Sequence, residues 1–428
     1  MAEQTTTVSH FVRDLTQRFS EPDWLKTARE AAWTHFESLP SPRLEKSDLT
    51  RRSWEVGTVP SAQHGAVPAD VQSLLDAMTG PVVCVVDGSV VRSELPAALT
   101  AEGVVFTDLH TALQHHGALV EKYLGSVVAA DENKWTALNA ALWHGGVFLY
   151  VPRNVQVDTA FQFVSIQTEA SQGAALPRAL VVGEEGSAFS FVEMQLNGET
   201  APAFLHSAVT EIVAAAGANI QVMSVNRLRK GPTHFLTSRA KVGKDAVVNW
   251  VFGDVGDGYS VALVESVLEG DGSRSLTQGL GVGFGRQHMD LTASMVHGGR
   301  YSESDIRLQG VLRERANSIF RSSTHILRGA VGAGSEQHDR MLMIEGTARA
   351  DAIPMLLIDE NDVQRCGHAA SVGKIDAQQI YYLMSRGIPE GEAMRMIIWG
   401  YLRPTVEAVS VPHVRAWLEG QIERKLTV

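Results

Sequence analysis

Cys366 and His368 are the residues of this sequence whose types and spacing are best suited to chemistry, and they stand in the run Cys366-Gly-His368. On an extended strand, residues two apart point to the same face. A thiol and an imidazole would then lie side by side, and both groups ligate iron or zinc. Two ligands are half of a four-coordinate site. The other ligands would come from distant parts of the chain or from another chain; the alternative is that both residues are structural.

Cys84 is the other cysteine of the chain, and it lies between valines in the apolar run of residues 82–86. Such a run is typical of a buried strand, so we expect an inert core thiol. Two cysteines are too few for a disulfide scaffold or for a metal site built from four thiolates of one chain.

The motifs of several common enzyme classes are missing from the sequence. It contains no Gly-x-x-x-x-Gly-Lys-Ser/Thr phosphate loop, no Gly-x-Ser-x-Gly elbow and no His-Glu-x-x-His. Asp254, Asp257 and Asp290 are candidates for the paired carboxylates of a carbohydrate-active enzyme, the least favoured function that we consider. We expect structural roles for four histidines in the central region: His288, His297, His325 and His338.

The charge balance argues against two classes of partner. The 428 residues include 37 Lys and Arg against 48 Asp and Glu, a net charge of −11. A general nucleic-acid binder or a protein of anionic membrane surfaces needs a basic face. No apolar run approaches the roughly 20 residues of a membrane span, and the first residues lack the basic and apolar parts of a secretion signal. We therefore predict a cytoplasmic protein without nucleic-acid or membrane partners.

The centre of the sequence predicts strands, and both ends predict helices. Between residues 144 and 350, short apolar runs alternate with turns rich in Gly, Asp and Asn. The first turns, at Gly186, Gly217, Gly243 and Gly270, recur at about the spacing of one solenoid coil. A parallel β-helix is therefore favoured over a β-sandwich. We predict a mainly β fold with a mixed, mainly helical domain at 1–143, the β-helix at 144–370 and a helical domain at 371–428.

Two amphipathic helices are predicted after Asp376, a good N-cap residue. Gly387 ends the first helix and Pro389 begins the second. The second helix carries an apolar stripe at helical spacing, formed by Met394, Ile397, Ile398, Tyr401 and Leu402. One stripe of such a hairpin can face the core, whereas the other packs on the neighbouring helix or binds a partner.

Several segments together resemble one known family. They are Arg349-Ala-Asp-Ala-Ile-Pro-Met-Leu-Leu-Ile-Asp-Glu-Asn-Asp362, residues 367–376, residues 381–389 and, nearer the N-terminus, residues 22–25 and 145–152. The chain resembles the SufB/SufD family, the scaffold proteins of SUF iron–sulfur cluster assembly. Within the family it is similar to the SufD group, because residues 351–358 lack the cysteine expected in SufB and no cysteine-rich motif occurs near the N-terminus.

The resemblance implies a fold, a function and partners. The fold is a right-handed parallel β-helix with helical ends, and the function is that of a non-catalytic scaffold that pairs with SufB. The C-terminal helices dock the ABC-type ATPase SufC, which gives Met394, Ile397, Ile398 and Tyr401 a partner. His368 then lies at the SufB interface and, with Cys366, holds a nascent cluster that the chain does not retain alone.

The resemblance also leaves two arrangements open. A SufB-like scaffold would hold the cluster itself, and the isolated chain would form a homodimer in place of the complex with SufB.

Overall fold

The computed structural model describes residues 2–57, 64–171, 173–199, 205–229 and 233–427. Within these ranges the helices are α1 (Ala2–Arg18), α2 (Asp23–Ser38), α3 (Ala69–Ala77), α4 (Ala97–Ala101), α5 (Leu109–His115), α6 (Gly117–Tyr123), α7 (Lys134–Leu142), α8 (Ala377–Ser385), α9 (Glu390–Glu407) and α10 (Pro412–Thr427).

The strands of the same ranges are β1 (Val82–Val86), β2 (Ser89–Glu94), β3 (Val105–Asp108), β4 (Val147–Val151), β5 (Phe161–Gln167), β6 (Arg178–Gly183), β7 (Ala188–Asn197), β8 (Leu205–Ala214), β9 (Asn219–Arg227), β10 (Thr233–Val242), β11 (Val247–Asp254), β12 (Tyr259–Leu268), β13 (Arg274–Gly283), β14 (His288–His297), β15 (Glu303–Leu312), β16 (Asn317–Ile326), β17 (Gly334–Met343), β18 (Arg349–Ala352), β19 (Met355–Ile358) and β20 (Arg365–Lys374).

Two sheets form a parallel β-solenoid of about eight turns. From β4 to β18, successive strands alternate between the sheets, so each coil adds one strand to each sheet; in the last coil, β18 and β19 both pair with β16. We call the sheet that contains the odd-numbered strands from β5 to β17, together with β20, the odd sheet. The sheet that contains the even-numbered strands from β4 to β18, together with β19, is the even sheet. Neighbouring coils pair in register; β10 and β12, for example, align over their full lengths. The predicted mainly β fold with a parallel β-helix is therefore confirmed.

A ladder of turns at one corner keeps the coils in register. Gly186 N–H donates to the Ala216 carbonyl in the next coil at 2.9 Å, and Gly217 N–H repeats this bond to Lys244 one coil later at 2.8 Å. The ladder residues share a positive φ; they are Asn154, Gly186, Gly217, Asp245, Gly272, Tyr301 and Gly332. A Cβ on Gly272 would lie 2.4 Å from Asp245 Oδ1, so glycine is favoured at this positive φ and a larger residue would displace the Asp245 side chain.

The interior of the solenoid is filled by apolar side chains, and helices cover part of the outer face of each sheet. Large apolar side chains such as Phe163, Phe191 and Trp250 fill the interior. Helices α9 and α10 pack on the outer face of the odd sheet, where Ile398 and Leu418 are buried in one cluster with strand residues. Helices α1, α2 and α7 cover part of the even sheet in the same way.

The two ends of the solenoid differ. At the first end, β2 pairs antiparallel with β1, and β3 pairs antiparallel with β4, so the N-terminal segment contributes three strands to the sheets. At the last end, β18, β19 and β20 each pair on one side only with another strand of the described ranges. Apolar side chains are exposed on this last coil, namely Met355, Leu357, Ile358 and Val372. The solenoid therefore ends in open strand edges.

The predicted elements at the two ends of the chain are largely present. In the N-terminal domain, which was predicted to be mainly helical, α5 and α6 are separated at His116. Asp376 caps α8 through its side chain, which accepts a hydrogen bond from Gln378 N–H at 2.8 Å. Gly387 has a positive φ and follows α8. The domain boundaries near residues 143 and 370 stay a prediction.

Candidate functional site

Cys366 and His368 lie on β20, the edge strand of the odd sheet. In the parallel register with β17, Cys366 pairs with Ser335 and His368 pairs with Gln337. Ser335 and Gln337 are buried and bond to Thr324 on the opposite sheet, so this side of the strand faces the interior. The register therefore places the thiol and the imidazole on one face, above the interior of the last coil.

Cys366 is half-buried against a small apolar cluster that includes Ile326, Ala330 and Ala333. Burial raises the pKa of its thiol, and the negative charge of Glu336 on β17 raises it further. The thiolate is the form that ligates metal, so binding at Cys366 has to release a proton.

His368 is exposed at the open end of the solenoid. Beneath it, Gln337 donates from Nε2 to Thr324 Oγ1 at 2.6 Å and to the Met355 carbonyl at 3.1 Å. The imidazole thus lies above a hydrogen-bonded floor and remains open to a ligand or a partner.

Asp339 is a residue of this region that the sequence motifs did not reveal. Burial raises its pKa to about 6, against the opposing effects of the Ser322 hydrogen bond and of His338 and His368. Ser322 Oγ donates to Asp339 Oδ2 at 2.7 Å, whereas Oδ1 has no hydrogen-bond partner among the described residues. No period-two signal could have indicated it, because residues 335–340 are polar at every position.

The polar floor continues into the coil below. His297 bonds through both ring nitrogens, to Ser302 Oγ and Ser304 Oγ, each at 2.8 Å. Ser304 Oγ donates to Ser335 Oγ at 2.9 Å, which links this histidine to the residue beneath Cys366. The last coils therefore have a hydrogen-bonded polar interior, which tolerates charge better than an apolar core.

The remaining metal-ligating residues do not join Cys366 and His368. Across the described ranges, no group of three His, Cys, Asp or Glu side chains is placed to hold a metal ion. His288 and His297 lie at opposite ends of β14, and His325 bonds to Asp359 at 2.9 Å. This chain therefore brings two candidate ligands to the last coil.

The three carboxylates considered for carbohydrate chemistry have separate structural partners. Asp254 accepts hydrogen bonds from Gly256 N–H, at 3.0 Å, and from Ser260. Asp290 bonds to Arg321, with Oδ1 2.8 Å from Nε, and Asp257 lies 3.2 Å from Lys425 Nζ. These contacts explain the three residues without a reaction.

The C-terminal residues predicted to bind a partner lie at several depths. Ile398 is buried against the solenoid, while Met394 and Tyr401 are half-buried in the same cluster, and Ile397 is also half-buried. Large exposed apolar side chains occur beside them on α8 and α9. We call these the helical patch: Tyr381, Tyr382, Met384 and Met396. Helix α8 has no buried residue.

Comparison with known proteins identifies the family. The profile of the SUF system FeS cluster assembly SufBD core domain matches residues 165–401, and that of the SufBD protein N-terminal region matches residues 13–163. The chain belongs to the SufBD family. The core match includes the solenoid from the end of β5 onward, both candidate ligands and most of α9.

Relatives within the SufBD family support the same assignment. The chain is 37% identical to the iron-sulfur cluster assembly protein SufD of Bacillus subtilis, across 97% of each chain. It is 28% identical to an iron-sulfur cluster assembly SufBD family protein of Staphylococcus haemolyticus and to one of Staphylococcus aureus, across 92% of this chain and 88% of theirs. The predicted resemblance is therefore confirmed.

No helix in the described part of the chain combines the length and the apolar character that a membrane crossing requires.

Proposed function

We propose that this chain is a non-catalytic scaffold subunit of SUF cluster assembly and that a nascent iron–sulfur cluster forms between its last coil and a SufB-like scaffold. The observation that carries the proposal is the position of Cys366 and His368 on an open edge strand. We place this activity in the cytoplasm, as the sequence predicts.

The open end of the solenoid suits a second solenoid as its partner. An edge strand leaves backbone N–H and C=O groups free to pair with another strand. Exposed Met355, Leu357 and Ile358 on β19 and Val372 on β20 supply apolar surface beside those groups. A SufB-like edge that pairs here would bury this surface and bring its own ligands to Cys366 and His368.

The cluster is cargo in this proposal, and the chain supplies part of its ligation. Cys366 offers a thiolate after deprotonation, and His368 offers an imidazole nitrogen. Two ligands from one chain need others from the partner. A cluster shared across a subunit interface is released when the interface opens, which suits an assembly scaffold.

We propose the helical patch as the docking surface for a SufC-like ABC ATPase. Its apolar side chains project from two neighbouring helices at the C-terminus. Buried Ile398 holds α9 against the solenoid, so movement of the docked ATPase would be transmitted to the odd sheet. Met394, Ile397 and Tyr401 would contribute the half-buried rim of this surface.

Co-purification with SufB-like and SufC-like proteins tests the proposal. We expect the wild-type chain to bind both. The double variant Leu357→Lys with Ile358→Lys places charge on the open edge and should lose the SufB-like protein but keep the ATPase. The control is Val90→Lys with Val91→Lys, an exposed apolar pair on β2 at the other end of the solenoid. Failure of the wild-type chain to bind either protein would reject the proposal.

Other outcomes would favour the alternatives. A stable, stoichiometric cluster on the isolated chain after reconstitution with iron and sulfide would indicate a SufB-like scaffold. A dimer of the isolated chain that the edge variant abolishes would show that the same edge also pairs two copies. Polysaccharide lyase or hydrolase activity of the purified chain would overturn the non-catalytic assignment.

A further inference from the structure

A cleft of about 650 Å³ lies between α10 and the turns that follow β9, β11 and β13. Its lining includes five cationic residues, Arg227, Arg229, Arg286, Arg424 and Lys425, and two acidic residues, Asp257 and Glu314. The whole chain has a net charge of −11. The cleft is therefore a local concentration of positive charge on an acidic protein, and the lining residues named here do not belong to the last coil.

Three of these arginines surround one carboxylate. Asp70 Oδ2 lies 2.7 Å from Arg227 Nη1, 3.5 Å from Arg229 Nη2 and 3.9 Å from Arg424 Nη1. One negative charge does not neutralise three guanidinium groups. Glu199 also pairs with Arg229, but its side chain is 75% exposed, so solvent screens that contact.

Several donors in the wall of the cleft have no acceptor among the described residues. Only 3% of Arg227 is exposed, and its Nε and Nη2 atoms lack hydrogen-bond partners there. Arg229 Nε and Gln421 Nε2 also lack hydrogen-bond partners among the described residues. Buried N–H donors are normally satisfied, and an arginine fork matches the oxygens of a tetrahedral oxyanion.

The Lys425 ammonium, unlike the arginine donors just named, has hydrogen-bond acceptors within the described ranges, and its bonds stabilise the wall of the cleft. Its ammonium donates to the Val282 carbonyl at 2.9 Å and to Gln287 Oε1 at 3.0 Å, and it also bonds to the Gly256 carbonyl. These bonds tie the end of α10 to the turns of the solenoid. The arginines beside it therefore line a preformed cleft.

We propose that this cleft binds the phosphate group of a small molecule. A phosphate dianion supplies several acceptor oxygens and two negative charges, which match the unpartnered donors and the surplus of guanidinium groups. Both inorganic phosphate and a phosphate monoester offer this chemistry, and the volume of the cleft accommodates either. The inference does not depend on the proposed role in cluster assembly.

The test measures binding of inorganic phosphate and of AMP to the full chain by calorimetry and thermal unfolding, against chloride at equal ionic strength. We expect both probes to bind the wild-type chain. Arg227→Met should raise the dissociation constant about tenfold, because it removes charge-assisted hydrogen bonds. Arg274→Met is the matched control, since Arg274 lies outside the cleft with a 64% exposed side chain.

Arg286→Ala provides a second variant at an exposed position, in case the Arg227 variant does not fold. Tighter binding of AMP than of phosphate would identify a phosphate monoester, and equal binding would identify phosphate itself. The proposal is overturned if neither probe binds better than chloride, or if the folded cleft variants bind as the wild-type chain does.

Discussion

Glu336 pairs in register with Gly367, and its Oε2 atom lies 2.8 Å from the position that a Cβ on Gly367 would occupy. Gly367 separates the two candidate ligands, so a carboxylate lies beside the site. Burial raises the pKa of the Cys366 thiol, and this carboxylate raises it further. The arrangement keeps the thiol protonated until a metal ion or a cationic group of a partner displaces the proton.

Glu336→Gln should make Cys366 more reactive. Removal of the negative charge lowers the thiol pKa, so alkylation by iodoacetamide at pH 8 should be about two- to threefold faster. Mass spectrometry measures the adduct at each cysteine. Burial raises the pKa of Cys84 to about 12, so Cys84 should remain unmodified in the folded chain.

Glu303→Gln is the control for this experiment, because Glu303 is a half-exposed acid on β15 that pairs with Arg274. The alkylation rate of Cys366 in the Glu303→Gln variant should equal the rate in the wild-type chain. An unchanged rate in Glu336→Gln would contradict the assigned effect of the carboxylate.

His368→Ala should reduce cluster formation without disrupting the complex. The substitution removes one of the two ligands that this chain offers, so iron and sulfide bound to the purified complex should fall by about tenfold or more. His338→Ala is the control, since His338 lies on β17 between the inward-facing Gln337 and Asp339. Loss of the complex in His368→Ala would instead assign this residue a structural role.

Tyr382→Asp with Met396→Asp should abolish ATPase docking. Both side chains are exposed in the helical patch, so the charges oppose burial in an interface while the solenoid stays folded. Pull-down with the SufC-like protein and circular dichroism measure the two effects. The control is Val91→Asp, which replaces an exposed apolar residue on β2. This variant should bind the SufC-like protein as the wild-type chain does. If the double variant still bound the SufC-like protein, the ATPase would have to dock on a surface other than the helical patch.

Acid should destabilise the fold through a buried histidine pair. His234 Nδ1 lies 2.8 Å from His206 Nδ1, and His206 Nε2 lies 3.2 Å from Gln195 Oε1. Because the amide oxygen accepts, neutral His206 donates from Nε2 and accepts from His234 at Nδ1. Burial lowers the pKa of His234 to about 3, and burial together with the His234 charge lowers that of His206.

The unfolded chain therefore takes up protons below about pH 6.5 that the folded chain does not. The free energy of unfolding should fall as the pH drops from about 6.5 towards 4. His234→Asn removes one of these buried imidazoles. The slope of the free energy of unfolding against pH, measured by urea titration, should then be smaller by about 1 kcal/mol per pH unit. Leu236→Val, a nearby buried substitution on β10, should lower stability at every pH and leave the slope unchanged. Identical slopes in His234→Asn and the wild-type chain would contradict the prediction.

The solenoid could be predicted because its determinants are local. Period-two apolar runs and turn residues such as Gly186 and Gly217 repeat along the sequence, and each repeat specifies one coil. The first coil was harder to foresee, because β2 and β3 pair antiparallel with strands whose position depends on the rest of the sheet. Tertiary pairing of this kind has no signature in a single short segment.

The candidate site could be predicted only in part. The spacing of Cys366 and His368 indicates a shared face, whereas the contribution of Glu336 and Asp339 depends on the register between β17 and β20. In the C-terminal helices, the apolar stripe predicts contact but does not distinguish the solenoid from a partner. Ile398 packs on the solenoid, and the exposed apolar residues of α8 became evident only from the fold.

The ladder of positive-φ turns has a consequence for how the length of this protein can change. The turn of each coil donates a backbone hydrogen bond to the turn of the next coil, as the turn at Gly186 does to the turn at Gly217. Insertion or loss of a few residues would offset every later turn, unless a loop absorbed the change. Growth of the solenoid is therefore modular, in whole coils, and smaller length changes are confined to loops and to the helical ends.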